Sequence, residues 1–129
     1  MGGIAIGLGA GLACWFSVTY MKVAFGYDDS LDAFGVHGVG GAVGALLTGV
    51  FASTVITGPD GPSGLLYGNP AQLWIQTKAV AVTIAYSFVA TFILLRIVDA
   101  LIGLRVTEQD ERIGLDLTQH RESAYTMID

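Results

Sequence analysis

Three long stretches of this chain carry no charge, and short polar clusters separate them. Gly2 to Met21 is a run of twenty uncharged residues. Crossing the hydrocarbon core takes about 20 residues, so this run predicts a first membrane helix, ended by Lys22. No basic region precedes it, and the run exceeds the roughly 7–15 residues of a signal-peptide core. The polar stretch Asp28-Asp29-Ser30-Leu31-Asp32 follows, and a second span is predicted from Ala33 to about Val55. Gly58-Pro59-Asp60-Gly61-Pro62-Ser63-Gly64 is dense in turn formers and reads as a loop. Asn69-Pro70 is a second turn signal, after which a helix can start, because proline is tolerated in a first helical turn. The third predicted span runs from about Gln72 to Leu104. Its uncharged centre, Ala79 to Leu95, covers about 25 Å at 1.5 Å per residue. Lys78 and Arg96 flank that centre and can snorkel to the two interfaces, and Trp74 suits an interfacial anchor.

From Glu108 the character changes. The tail to Asp129 holds six acids and two arginines, so it carries four of the five net negative charges. Thr107 can cap a short helix with Asp110 three residues on, and Gly114 can end it in the left-handed conformation. Leu115 and Leu117 suggest that the tail docks on something; a solvated tail is the plainer reading. The pattern therefore predicts an all-α integral membrane helical bundle, with a transmembrane portion over 1–107 and an acidic cytoplasmic tail over 108–129. Composition agrees. Hydrophobic residues make up 53% and charged residues 13%, about half the usual quarter, and the mean hydropathy is +0.62. Disorder is excluded, since it needs low hydrophobicity and high charge. A net charge of −5 without a basic patch speaks against nucleic acid as a partner. A single cysteine, Cys14, excludes a disulfide scaffold. Lys and Arg counts in short loops set orientation. The loop 54–70 has none, whereas Lys22 follows span one and Arg105 and Arg112 follow span three, which predicts the N-terminus outside and the tail in the cytoplasm.

Span one carries Gly3, Gly7 and Gly11, and span two carries Gly40 and Gly44 beside Gly41, Ala45 and Gly49. Small residues four apart let helix backbones approach closely, so these stripes are expected to pack helix on helix. His37 is the unusual residue. Ionisable groups inside a span are expensive and face a bundle interior or an aqueous path. Ala33, His37, Gly40 or Gly41, and Gly44 share one helical face, so the imidazole projects from a stripe of very small side chains. Two readings stand: a hydrogen bond across a helix interface, or a group lining a passage. Asp28, Asp29 and Asp32 read as a solvated loop or helix cap, with a cation site as the rarer alternative. No nucleophile–base pair, zinc motif or phosphate loop is present, so no enzyme, metal or cofactor is expected.

The stretch Asp28-Asp29-Ser30-Leu31-Asp32-Ala33-Phe34-Gly35-Val36-His37-Gly38-Val39-Gly40-Gly41 resembles the ammonium transporter family (Amt/Mep/Rh), whose pattern there is two aspartates, a further aspartate, then Val-His-Gly. Gly103-Leu104-Arg105-Val106, then Gly114-Leu115-Asp116, His120, Glu122 and Ala124-Tyr125, resemble the family's cytoplasmic signature. The resemblance covers essentially the whole chain and implies an eleven-helix channel fold built on inverted repeats, assembled as a homotrimer with one pore per protomer. The three spans here resemble the last three, so the first repeat and its pore residues have no counterpart in the sequence. The resemblance makes His37 the second of a pair of pore histidines. It implies ammonium or ammonia as substrate, the lipid bilayer of the cell membrane as surroundings, and a P-II signalling protein as a partner of the tail. The substrate-pathway candidates are then His37 and Ala33; the tail-contact candidates are Asp116, His120, Glu122 and Tyr125. Two departures stand out: Ser30 replaces a usual proline, and Arg121 replaces a glycine, a residue that tolerates positive φ. The function expected is transmembrane ammonium transport as the C-terminal part of a larger channel, inactive alone. The rival is a small three-span membrane protein that acts in assembly or regulation through its tail.

Overall fold

The computed structural model of the chain describes residues 1–122. Among them every regular element is helical, and three helices are long and apolar enough to cross a membrane. These are α1 (Gly2–Phe25), α2 (Phe34–Phe51) and, after one short turn of helix α3 (Thr54–Thr57), α4 (Pro70–Ile102). A polar helix α5 (Glu108–Ile113) follows. The all-helical, three-span architecture is the one the uncharged runs predict.

The ends of the spans differ from expectation. Lys22 does not stop α1, which continues to Phe25. Lysine is a good helix former, and its stem can lie along apolar surface while the ammonium reaches polar groups. The stop is Gly26, in the left-handed conformation at φ +61°, with its N–H donating to the Lys22 carbonyl at 2.9 Å. The second span is shorter than Ala33–Val55, because Ala52 turns extended after Phe51. Ser53 then opens α3, its hydroxyl accepting the Val55 N–H at 3.4 Å. Val55 is thus outside the span. The third helix starts at Pro70 and ends at Ile102, two residues earlier than expected at each end.

The chain divides into two compact units between Tyr86 and Ser87. In the first, α1 and α2 run antiparallel along a seam of small residues. A Cβ built on Gly2 would meet Phe51, one on Gly9 would lie 2.7 Å from Leu47 Cδ1, and one on Gly40 would strike the Cys14 sulfur. A Cβ on Gly49 would stand 3.0 Å from the Cα of Leu73, in the first turns of α4. The expected stripes are only partly used. Gly40 and Gly49 make close approaches, whereas Gly3, Gly7, Gly11, Gly41 and Gly44 face open space. The spacing of four identified helices able to pack tightly; which face does so depends on the seam that Gly2, Gly9 and Cys14 share. The loop after α3 folds back on the end of α2. The Gly64 N–H donates to the Ala52 carbonyl at 2.8 Å, and Asn69 Nδ2 donates to the Ser63 carbonyl at 3.1 Å. Among the described residues no apolar side chain is buried, so the long helices present their side chains to lipid or to further helices.

In the second unit, α5 is capped as predicted. Thr107 Oγ1 accepts the Asp110 N–H at 3.2 Å and donates its proton to Asp110 Oδ2 at 2.8 Å. Arg112 and Glu108 pair one turn apart at 2.6 Å on the exposed face. Gly114 ends the helix, but at φ +110°, ψ 133°, a glycine-favouring conformation outside the left-handed helical region expected for it. A wide turn, Asp116–His120, comes next and ends on Arg121 at φ +55°. The sequence replaces glycine by arginine where the backbone does take positive φ, a conformation that costs a non-glycine residue about 1–2 kcal/mol. Arg121→Gly should therefore stabilise this turn by about 1 kcal/mol. The check is hydrogen exchange at the Glu122 amide, which donates to the Asp116 carbonyl at 2.8 Å; protection should rise severalfold, and unchanged protection contradicts the expectation.

Candidate functional site: the start of the second span

The two helices that form the seam each contain one wide, π-helical segment: Ser17–Met21 in α1 and Phe34–Val39 in α2. Such segments bond i to i+5 and occur often at functional sites. Here they pack on each other. Ser17 and Gly35 are both buried, and a Cβ on Gly35 would lie 2.7 Å from Val18 Cγ2 and 3.4 Å from Ser17 Oγ. The Cys14 thiol donates to the Val36 carbonyl at 3.5 Å, inside the wide segment. The Ser17 hydroxyl has no hydrogen-bond partner among the described residues.

His37 sits in the middle of the α2 segment and is exposed, as are Ala33 and Gly41. Gly40 is buried against Cys14. Of the two glycines that could share the histidine's face, Gly41 is therefore the exposed one. Gly44 adds to that opening, with nothing within 4 Å of where its Cβ would be.

The polar cluster before α2 is a cap. Asp29 Oδ1 accepts the Ala33 N–H and Oδ2 accepts the Phe34 N–H, each at 2.9 Å, which satisfies two of the orphan amides of a helix start. A carboxylate there also meets the positive end of the helix dipole. Lys22 donates to the Asp29 carbonyl and to Asp32 Oδ1, both at 2.6 Å. Asp32 takes φ +55°, and the Tyr27 and Phe34 rings meet edge to face at 5.5 Å.

The tail candidates lie in the second unit. Asp116 begins the wide turn and His120 ends it; Glu122 joins them through its amide to the Asp116 carbonyl. Tyr125 lies outside the described residues.

Over residues 1–125 the sequence matches the Ammonium Transporter Family. The chain belongs to that family. It is similar to an ammonium transporter of Bacillus subtilis, 46% identical over 122 residues that cover 95% of this chain and 30% of the relative. An ammonium transporter of Aquifex aeolicus is 48% identical over 127 residues, covering 98% of this chain and 29% of the relative. Ammonium transporter Amt1 of Archaeoglobus fulgidus is 46% identical over 125 residues, covering 97% and 31%. The chain thus spans about three tenths of the length of the curated relatives it matches. Membership of the ammonium transporter family places it among transport proteins and not enzymes.

Sequence reasoning singled out His37 and the aspartates but missed Cys14, Ser17, Gly35 and Lys22. Cys14 entered only as the lone cysteine, Gly35 only within the motif 28–41, Ser17 not at all, and Lys22 as the end of a span. Their roles arise only where α1 crosses α2. In this ammonium transporter family chain, Gly35→Ala should drive a methyl group into Val18 and separate the two wide segments, at a cost of about 1–3 kcal/mol. Val18→Ala in the same chain makes room and should recover most of the loss. Thermal unfolding in detergent measures both; equal stability of Gly35→Ala and wild type would show that the seam has slack.

Proposed function

We propose that these residues are the C-terminal portion of an ammonium transporter, its last three membrane spans and its tail, and that His37 lines the conducting path with Ala33 beside it. The observation that carries this reading is an imidazole standing exposed within an apolar span, with Ala33 and Gly41, four residues to either side, exposed as well. Support for the portion comes from the order of the elements, three spans and then a polar helix and turn, in a chain about three tenths as long as its relatives. The transmembrane portion is residues 1–107 and the cytoplasmic tail 108–129, with the N-terminus outside the cell membrane. The whole protein is a homotrimer, and its tail, through Asp116, His120, Glu122 and Tyr125, meets a P-II signalling protein.

The physical problem is to move ammonium through hydrocarbon. An unpaired charge there is far too costly, so a narrow apolar path favours neutral ammonia over the cation. The proton must then travel separately or be returned. Histidine suits this step, because a neutral ring accepts a hydrogen bond at one nitrogen, donates at the other and can relay a proton. The small residues around His37 leave room for a solute one heavy atom in size. One repeat cannot enclose a path between two, so conduction belongs to the whole transporter and not to these 129 residues alone.

Sidedness has a direct check. In a Cys14→Ser background, Ser63→Cys should react with an impermeant thiol reagent added to sealed cells, and Gln109→Cys should react only after lysis. The reverse pattern would overturn the orientation. The path itself is tested by labelled methylammonium uptake in the whole protein that carries these residues, normalised to trimer. His37→Ala should lower uptake by about a hundredfold, the scale of a lost proton-transfer group, while the protein still assembles. His37→Glu keeps a titratable group and should retain altered, less selective transport. In the same assay the 129-residue chain in liposomes should match empty vesicles. Wild-type uptake in His37→Ala would end the assignment.

A further inference from the structure

The conducting path as proposed makes no use of Lys22, yet this side chain makes two of the shortest polar contacts in the first unit. It lies in the last turn of α1, half-buried, and its ammonium reaches across to the loop that starts α2. One contact goes to the Asp29 carbonyl and one to Asp32 Oδ1, both at 2.6 Å. Both acceptors belong to residues that build the start of the helix. The Asp29 carboxylate holds the Ala33 and Phe34 amides, and the Asp32 carbonyl accepts the Val36 N–H at 2.9 Å. His37 is the next residue. Asp32 itself sits at φ +55°, a left-handed conformation that aspartate tolerates better than most non-glycine residues when local hydrogen bonds hold it. Lys22 supplies such a hold from the neighbouring helix. Both partners of the Lys22–Asp32 contact are charged, so it is stronger than a neutral hydrogen bond of the same length.

We propose that Lys22 is a positioning residue for His37. By tying Asp29 and Asp32 to the end of α1, it fixes where α2 begins and so the angle at which the imidazole leaves the helix. The competing picture is a lysine whose stem merely carries its charge to the membrane surface. In that picture the helix start is indifferent to Lys22. The inference rests on His37 lining the path, but its first readout involves no transport.

The experiment uses the whole protein that carries these residues, in lipid nanodiscs. Lys22→Met keeps the stem and removes the donors. Hydrogen exchange of peptides covering 33–37 should quicken about tenfold or more, with peptides from the first half of α4 unchanged. The pH profile of methylammonium uptake should shift in the same variant, because a displaced imidazole meets a different set of partners. Lys22→Arg should restore both. Asp32→Asn removes the charged acceptor while tolerating positive φ, and should reproduce the Lys22→Met effect; it decides the matter if Lys22→Met fails to fold. Wild-type exchange over 33–37 and a wild-type pH profile in the folded variant, or in Asp32→Asn, would overturn the proposal. Loss of His37 function is separable: wild-type uptake in His37→Ala removes the path while fast exchange in Lys22→Met still shows the tie.

Discussion

A backbone inside hydrocarbon has to satisfy its own N–H and C=O groups, and in this chain that requirement is met by helices and then tested where α1 and α2 touch. Close contact between two helices in lipid is driven by dispersion and weak polar bonds, so it needs small residues at the crossing. Gly2, Gly9, Gly35 and Gly40 supply them, opposite Phe51, Leu47, Ser17–Val18 and Cys14. At the end of the seam nearest the loop between them both helices widen into π segments, and there the Val36 carbonyl accepts the Cys14 thiol. The seam fixes which residues of α2 are covered by α1. It buries Gly35 and Gly40 and leaves His37 exposed.

The cap before α2 is the second half of the same construction. A helix that begins at a membrane surface exposes unsatisfied amides where water is scarce, and Asp29 covers two of them. Its own negative charge is then balanced by the nearby Lys22, which also pairs with Asp32. The region assembled here brings together one exposed imidazole, small neighbours, and charged groups gathered at the start of the helix.

The aspartate cluster shows how tertiary contact settles a reading the residues leave open. Three carboxylates in five residues fit a cation site, a cap or a solvated loop. Two amides of α2 sit on Asp29 and an ammonium on Asp32, so both carboxylates are engaged at the start of the helix. Arg121 is the opposite case. An arginine where glycine is expected put the turn in doubt, yet the backbone there keeps positive φ, so the fold of the turn survives a residue that disfavours it.

Hydrophobicity along the chain was enough to define three spans and the loop between the second and third, and short motifs carried the capped helix at Thr107 and the resemblance to the family. The exact limits of the spans were less legible. Lys22 looked like an end, yet the helix runs on to Phe25, since one flexible cation near an interface does not break a helix. Val55 looked like part of a span and lies beyond it, since Ser53 starts a new turn. Which glycines pack was not legible at all: a spacing of four occurs on several faces of the same helix, and only the partner selects one. Whether a helical turn bonds i to i+4 or i to i+5 is likewise decided by what lies across from it. The histidine was therefore visible from the sequence, while the side of α2 it occupies was decided by the packing of small residues against α1.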